Sequence, residues 1–220
     1  MSVPPRINPR SRFAPPRVGL LGGSFNPAHE GHRDIALAAF GRLRLDQVWW
    51  LVSPQNPLKP VAGMAPFEQR MAAAQAFARH PRIRVTGIEA SLGTRYTADT
   101  LAALVRAFPR TRFVWLMGAD NLAQIAYWAH WQEIFHTVAI AVFDRPTYCF
   151  RAMAGVAAHR FARRRLAVSA AGSLVGTKPP AWVFLFTRLN PISASAIRAR
   201  RRTGRVPDAD RSNTNSEVTP

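Results

Sequence analysis

Short apolar runs alternate with amphipathic stretches along most of the chain. The apolar runs predict buried strands at 18–21, 47–52, 83–86, 112–117, 137–143 and 182–186. The stretches between them predict helices at 30–42, 66–79, 97–108, 120–135 and 147–166. Strands that alternate with helices favour a parallel sheet with helices on both faces, which is an α/β fold. Ligands bind such sheets beyond the carboxyl ends of the strands, and the segments that follow strands one and four are expected to open onto one crevice.

The segment after the first predicted strand carries the strongest chemical signal. Residues 22–32 have the sequence GGSFNPAHEGH, in which a glycine pair lets backbone N–H groups approach a phosphate closely. The helix start behind it offers unpaired N–H groups and the positive end of the helix dipole. His29 and His32 are three residues apart and share one face of the first turn, while Gly31 leaves the helix surface bare for a flat base. The segment is neither a Walker loop nor a GxGxxG fingerprint, and it predicts a nucleoside triphosphate site.

Four segments of the chain resemble motifs of one enzyme family. Residues 22–32 resemble the GxFxPxHxGH signature of the HxGH nucleotidyltransferase superfamily, and Ile192–Arg198 (ISASAIR) resembles its second signature, ISxTxxR. Residues 93–101 (GTRYTADTL) resemble the SYTxxTL segment of the nicotinate-nucleotide adenylyltransferases. Residues 118–122 (GADNL), followed by Trp128, resemble the GxDxL…W segment of that family. The likeness runs from about residue 18 to 203.

The resemblance implies a fold and a reaction. The fold is a single Rossmann-like nucleotidyltransferase domain, here placed at 18–205, between tails at 1–17 and 206–220 whose composition predicts disorder. The reaction joins ATP to nicotinate mononucleotide and gives deamido-NAD and pyrophosphate. Mg²⁺ is expected to travel with ATP and to keep most of its waters, so the sequence predicts no dedicated protein metal site.

The resemblance also implies roles for individual residues. Catalysis is assigned to His29, His32, Lys59 and Arg198. ATP contacts are assigned to Gly22, Gly23, Ser24, Phe25, Gly31, Asp120, Ser193 and Ser195. Substrate contacts are assigned to Tyr96, Thr97 and Trp128. Because the acceptor's own phosphate is the nucleophile, catalysis is expected to consist of positioning and charge stabilisation.

Several of these assignments have alternatives. Without the resemblance, Trp128 is better explained as a core residue, and Tyr127 and Trp131 are neighbouring candidates for stacking on the pyridine ring. Lys59 can be a solvated loop residue, and Asp120 can be a helix N-cap. The acceptor can instead be nicotinamide mononucleotide or phosphopantetheine. Zinc is a poor fit, since two histidines three apart have no further histidine or cysteine nearby.

Composition sets broad limits on the function. The 220 residues, 48% of them hydrophobic, suit one domain with a sizeable core. The net charge of +18 leaves a basic nucleic-acid-binding protein as an alternative, but 28 arginines against 2 lysines also fit a general preference for arginine. No apolar run of about 18 residues predicts a membrane span, and Cys149 as the single cysteine fits a reducing cytoplasm.

The chain departs from the family pattern at a few positions. Arg95 stands where a serine is common and adds positive charge beside the expected carboxylate site, which favours the acid substrate over the amide. Ser195 replaces a threonine and keeps the hydroxyl. Residues 206–220 are polar where relatives have a final helix, and we expect this difference to lower stability rather than to remove chemistry.

Overall fold

A computed structural model describes residues 5, 7, 14–54, 62–145, 148–186, 194, 197 and 198. Lys59, Ser193 and Ser195 lie outside these residues, as do 206–220 and most of 1–17. Within the described part of the chain, no helix is long and apolar enough to cross a membrane.

The six predicted strands are present and form one parallel sheet. They are β1 (Arg17–Gly23), β2 (Gln47–Val52), β3 (Ile83–Thr86), β4 (Arg112–Gly118), β5 (Ala139–Phe143) and β6 (Trp182–Leu185). Their order across the sheet is β3-β2-β1-β4-β5-β6, and every neighbouring pair is parallel. This order confirms the predicted α/β, Rossmann-like architecture.

Helices connect the strands on both faces of the sheet. They are α1 (Glu30–Leu43), α2 (Phe67–Ala78), α3 (Ile88–Leu92), α4 (Thr97–Ala107), α5 (Ala119–Gln124), α6 (Trp131–Thr137), α7 (Cys149–Met153) and α8 (Val156–Arg160). Short 3₁₀ helices lie at Ile125–Tyr127, Ala162–Arg164 and Val168–Gly176. The helices predicted near 30–42, 66–79 and 97–108 are confirmed as α1, α2 and α4.

Two long helices predicted from the sequence are wrong. The stretch 120–135 is interrupted because Trp128 is extended and His130 adopts a left-handed conformation, with φ of 54°. The stretch 147–166 is interrupted at Gly155, whose φ of −74° and ψ of 156° are extended. In both places the hydrophobic periodicity continues across the break, so the pattern alone predicts one helix.

The sheet separates two hydrophobic cores. On one face, α1, α2 and the 3₁₀ helix Val168–Gly176 cover side chains such as Leu21 and Trp50. On the other face, α4, α5, α6 and α8 cover side chains such as Leu20 and Trp49. Helix α1 therefore leaves the end of β1 toward one face, and α5 leaves the end of the adjacent β4 toward the other. A crevice opens between neighbouring strands whose helices diverge in this way.

Gly22, near the end of β1, has no room for a side chain. A Cβ at this position would collide with the ring of Trp115, a buried side chain of β4. We expect Gly22→Ala to lower the free energy of unfolding by about 1–3 kcal/mol, because a filled core resists one more methyl group. Urea denaturation measures the change.

Gly41→Ala is the matched control for this substitution. Gly41 lies within α1, and a Cβ there would meet no atom within 4 Å. We expect this variant to be more stable than the parent by roughly 0.5–1 kcal/mol, since alanine favours the helix over glycine. Equal effects of the two substitutions would contradict the collision with Trp115.

Candidate active site

A cleft opens where the carboxyl ends of β1 and β4 meet. Its lining consists of Leu21, Gly22, His29, Gly31, His32, Ile35, Gly118, Asp120, Asn121, Asp144 and Arg145. The structure thus brings together five residues assigned from the sequence: Gly22, His29, Gly31, His32 and Asp120. The expectation that the segments after strands one and four open onto one crevice is confirmed.

The two histidines lie against each other at the start of α1. Their ring centroids are 3.9 Å apart, and the backbone N–H of His29 donates to Nδ1 of His32 over 3.2 Å. Nδ1 of His32 is therefore an acceptor, so the proton of the neutral ring resides on Nε2. His29 is in extended conformation at the N-cap position, directly before the first turn of α1. The arrangement presents imidazole and backbone donors at one helix start.

His29 is held in its neutral form. Burial and, to a smaller extent, the positive charge of Arg145 lower its pKa from 6.5 to about 4, against the opposing effect of the negative charge of Asp120. Only 7% of the residue is exposed to solvent. At neutral pH this imidazole is an uncharged hydrogen-bonding group rather than a cation.

Phe25 packs against the ring of His32. Its ring is 1% exposed and lies 4.5 Å from the ring of His32 and 5.2 Å from that of Trp50. Gly23, Ser24 and Phe25 were assigned to ATP contacts, but none of the three lines the cleft. The side chain of Phe25 is a buried platform for His32, and Ser24 is also buried.

An ion pair occupies the β4 side of the cleft. Oδ2 of Asp120 accepts a hydrogen bond of 2.7 Å from the guanidinium of Arg145, while Oδ1 of Asp120 is buried without a hydrogen-bond partner among the described residues. Asp120 is not a helix cap, because Gly118 occupies the cap position of α5. Sequence analysis missed Arg145, since one arginine among 28 carries no motif signal.

The residues assigned to the pyridine substrate lie away from the cleft lining, around the start of α4. Tyr96 is the N-cap of α4 and Thr97 its first residue, and the Tyr96 ring lies 6.4 Å from the ring of His130. Trp128, two residues before His130, is partly buried and packs against the core. His130 thus contacts Tyr96 and follows Trp128 by two positions along the chain.

The two alternatives for stacking differ in their surroundings. Trp131 packs edge-on against Phe135 and Phe161, at ring distances of 6.2 and 6.1 Å, and is therefore engaged in the core. Tyr127 is 80% exposed. Arg95 is exposed, and its guanidinium lies 5.9 Å from the centre of the Tyr96 ring, beside the proposed carboxylate site.

The C-terminal motif contacts the β1 loop through Arg198. A guanidinium N–H of Arg198 donates to the backbone carbonyl of Asn26 over 2.6 Å, across 172 positions of sequence. The contact brings the second signature next to the first. Lys59, Ser193 and Ser195 lie outside the described residues, so their assignments stay predictions.

Glu89 is a second titratable group that sequence analysis missed. It lies in α3, directly after β3, and burial raises its pKa to about 7 against the opposing effect of a hydrogen bond from Ser53. Ser53 directly follows β2. The carboxyl group is therefore partly protonated at neutral pH near the carboxyl edge of the sheet.

A comparison with known protein families shows which family this chain belongs to. The cytidylyltransferase-like family pattern matches residues 20–200. This chain belongs to that family.

Proteins similar to this member of the cytidylyltransferase-like family share about half of their residues with it. A protein of Parvibaculum lavamentivorans named "Probable nicotinate-nucleotide adenylyltransferase" is 54% identical over 84% of this chain and 92% of its own length. One of Bradyrhizobium sp. with the same name is 50% identical over 83% of this chain and 95% of its own length. The Plasmodium falciparum nicotinic acid mononucleotide adenylyltransferase, solved in complex with NaAD, shares the fold, with a TM-score of 0.63 at 15% identity over 84% of this chain and 83% of that one.

The lowered pKa of His29 predicts a pH-dependent stability. Between pH 6.5 and 4 the unfolded chain binds a proton on His29 that the folded chain does not, so stability falls as the pH falls through this range. Relative to His29→Asn, the parent should lose roughly 2 kcal/mol more between pH 7 and pH 5. Urea denaturation at both pH values measures the difference. Parallel losses in the two proteins would show that His29 titrates normally in the fold.

Proposed function

We propose that this chain transfers the adenylyl group of Mg-ATP to nicotinate mononucleotide, giving deamido-NAD and pyrophosphate. The observation that carries the proposal is the pair His29 and His32, stacked at the start of α1 in a cleft between β1 and β4. The family and the names of relatives about 50% identical over most of the chain support the choice of reaction.

The reaction needs no protein nucleophile. An oxygen of the acceptor phosphate attacks the α-phosphorus of ATP, the bond to the bridging oxygen of the β-phosphate breaks, and that oxygen leaves with pyrophosphate. Charge grows on the α-phosphate oxygens and on the leaving group during the transfer. The protein's contribution is to hold both reactants in line and to stabilise that charge.

His32 and His29 are proposed as donors to the ATP phosphates. The proton of His32 resides on Nε2, because Nδ1 accepts from the backbone of His29. His29, with its pKa lowered to about 4, contributes a hydrogen bond without a fixed positive charge. Together with the N–H groups at the start of α1, they stabilise charge as it develops.

Positive charge for the departing pyrophosphate is proposed to come from arginine and lysine side chains. Among the described residues that line the cleft, Arg145 is the only arginine or lysine. Arg198 is placed next to this loop by its bond to the Asn26 carbonyl. Lys59 is assigned here from the sequence, as are the hydroxyls of Ser193 and Ser195. Guanidinium groups suit this role, since they bind phosphate oxygens in pairs.

Asp120 is proposed to accept from a ribose hydroxyl or from a water of the Mg²⁺ that arrives with ATP. Its Oδ1 atom is the buried acceptor that has no partner within the described structure. No group of three or more metal-ligating side chains occurs among the described residues. We propose that Mg²⁺ arrives as part of the Mg-ATP substrate and keeps most of its waters.

The pyridine ring is proposed to bind at the start of α4. Trp128 offers an aromatic face, and the backbone N–H groups at Tyr96 and Thr97 begin a helix and so favour a carboxylate. The exposed guanidinium of Arg95 adds positive charge there, which favours the acid over the amide.

Nucleic acid is not proposed as a partner of this chain. A cytoplasmic location stays a prediction from the single cysteine.

Pyrophosphate release from Mg-ATP tests the proposed reaction directly. Nicotinate mononucleotide, nicotinamide mononucleotide and phosphopantetheine serve as parallel acceptors, and we expect turnover with the first to exceed the others strongly. A preference for another acceptor would overturn the assignment of Tyr96, Thr97 and Trp128. Absence of turnover with all three, together with salt-sensitive binding of polynucleotides, would favour a nucleic-acid-binding role instead.

His32→Ala tests the assignment of the histidine pair. Removing one preorganised donor should lower kcat by a factor on the order of 10²–10³, with smaller changes in KM. His80→Ala is the matched control, because His80 stacks on Phe40 at 5.0 Å and does not line the cleft. A His32→Ala enzyme as active as the His80→Ala enzyme would remove His32 from the mechanism.

A further inference from the structure

Arg70 of α2 ties together the loops around the cleft without entering it. Its side chain is buried, and the residue is 3% exposed. The guanidinium donates to four backbone carbonyls: those of Ser24 and Ser53 at 2.7 Å each, Pro54 at 2.7 Å and Ala65 at 2.9 Å. Ser24 follows β1, and Ser53 and Pro54 follow β2. One side chain therefore joins the ends of two neighbouring strands to the approach to α2.

This use of an arginine is costly unless all of its donors are satisfied. A buried guanidinium without hydrogen bonds would lose several kcal/mol of hydration. Burial lowers the pKa of Arg70, and the negative charge of Glu68 opposes that effect. The carbonyl oxygens replace the lost water and are fixed in return, because the donors of a guanidinium lie in one rigid plane.

The carbonyl of Ser24 directly precedes the residue that supports His32. Phe25 has φ of 46°, a left-handed conformation that costs about 1–3 kcal/mol for a residue with a side chain. Such a conformation persists only where the surroundings hold it in place. Arg70 holds the carbonyl before Phe25, and Arg198 holds the carbonyl after it, that of Asn26.

A continuous set of contacts leads from Arg70 to the histidine pair. The bond to the Ser24 carbonyl fixes the turn at Phe25, and the Phe25 ring lies 4.5 Å from the ring of His32. His32 in turn accepts from the backbone of His29. A shift of the Ser24 carbonyl would therefore move the ring whose Nε2 proton faces the phosphates in the proposed reaction.

We propose that Arg70 is a positioning residue for adenylyl transfer, which sets the orientation of the His32 ring through the Ser24 carbonyl and Phe25. The proposal rests on the proposed function. It predicts that Arg70 affects the rate of the chemical step more than substrate affinity, because Arg70 is not part of the cleft lining. A displacement of about 1 Å in a catalytic group can lower a rate by as much as 10²-fold.

Arg70→Lys is the variant that tests this role. Lysine keeps the positive charge, but its three donors on one nitrogen cannot match a planar fork that bonds four carbonyls. We expect kcat to fall about 10- to 100-fold, with KM for ATP and for nicotinate mononucleotide within about threefold of the parent. We also expect the imidazole NMR signals of His32 to move in the free protein. Each protein is measured well below its own unfolding midpoint.

Arg82→Lys is the matched control. Arg82 also donates to a backbone carbonyl, that of Leu45 at 3.2 Å, and lies over the ring of Phe40 at 4.0 Å, but it does not line or flank the cleft. This substitution should leave kcat and the His32 signals unchanged, whatever it does to the unfolding midpoint. Arg70→Gln, which keeps two N–H donors, should resemble Arg70→Lys.

Three results would overturn the proposal. They are a kcat for Arg70→Lys equal to that of Arg82→Lys, a loss of activity with unchanged His32 signals, and failure of both Arg70 variants to fold where Arg82→Lys folds. The last would show that Arg70 is required for the fold itself. If the parent turns over none of the acceptors, the proposed function fails, while the His32 signals still test whether Arg70 orients that ring.

Discussion

The position of β1 in the middle of the sheet is the constraint on which the cleft depends. Strand β1 pairs with β2 on one side and with β4 on the other, and all three run parallel. Their carboxyl ends therefore meet at one edge, while α1 and α5 leave toward opposite faces. Two helix starts face the space between them. One carries the histidine pair, and the other carries Asp120.

The electrostatics of this cleft suit the binding of a charged ligand, because His29 is neutral and Arg145 is paired. His29 is kept neutral by burial, and Arg145 is already paired with Asp120. In the proposed reaction the Mg-ATP substrate brings its own negative charge and metal ion, and donors of fixed direction complement the positive charge of the arginine and lysine side chains. The buried Phe25 ring and the bonds of Arg70 to the loop carbonyls supply that fixed direction.

Much of this structure can be predicted from the sequence, because the strands are strongly apolar and are separated by clear helical patterns. All six strands and the parallel α/β class were predictable for that reason, and the cleft residues His29, His32 and Asp120 stand in recognisable motifs. The breaks at His130 and Gly155 were not predictable, since hydrophobic periodicity does not register one residue with unusual backbone angles. Arg145 and Arg70 were missed because their roles depend on which carbonyl or carboxylate the fold brings near them.

Several arginines that the structure describes donate to backbone carbonyl oxygens. Arg70 binds four carbonyls, Arg198 binds one, and Arg17 and Arg112 at the opposite edge of the sheet bind those of Gly172 and Gly176. With 30 basic side chains and 12 acidic ones, carboxylates cannot neutralise them all. A bond to a carbonyl oxygen orients a guanidinium, but the carbonyl is neutral and brings no negative charge of its own. The chain thus carries a large excess of like charge, and dissolved anions screen a self-repulsion that dilution into pure water would expose.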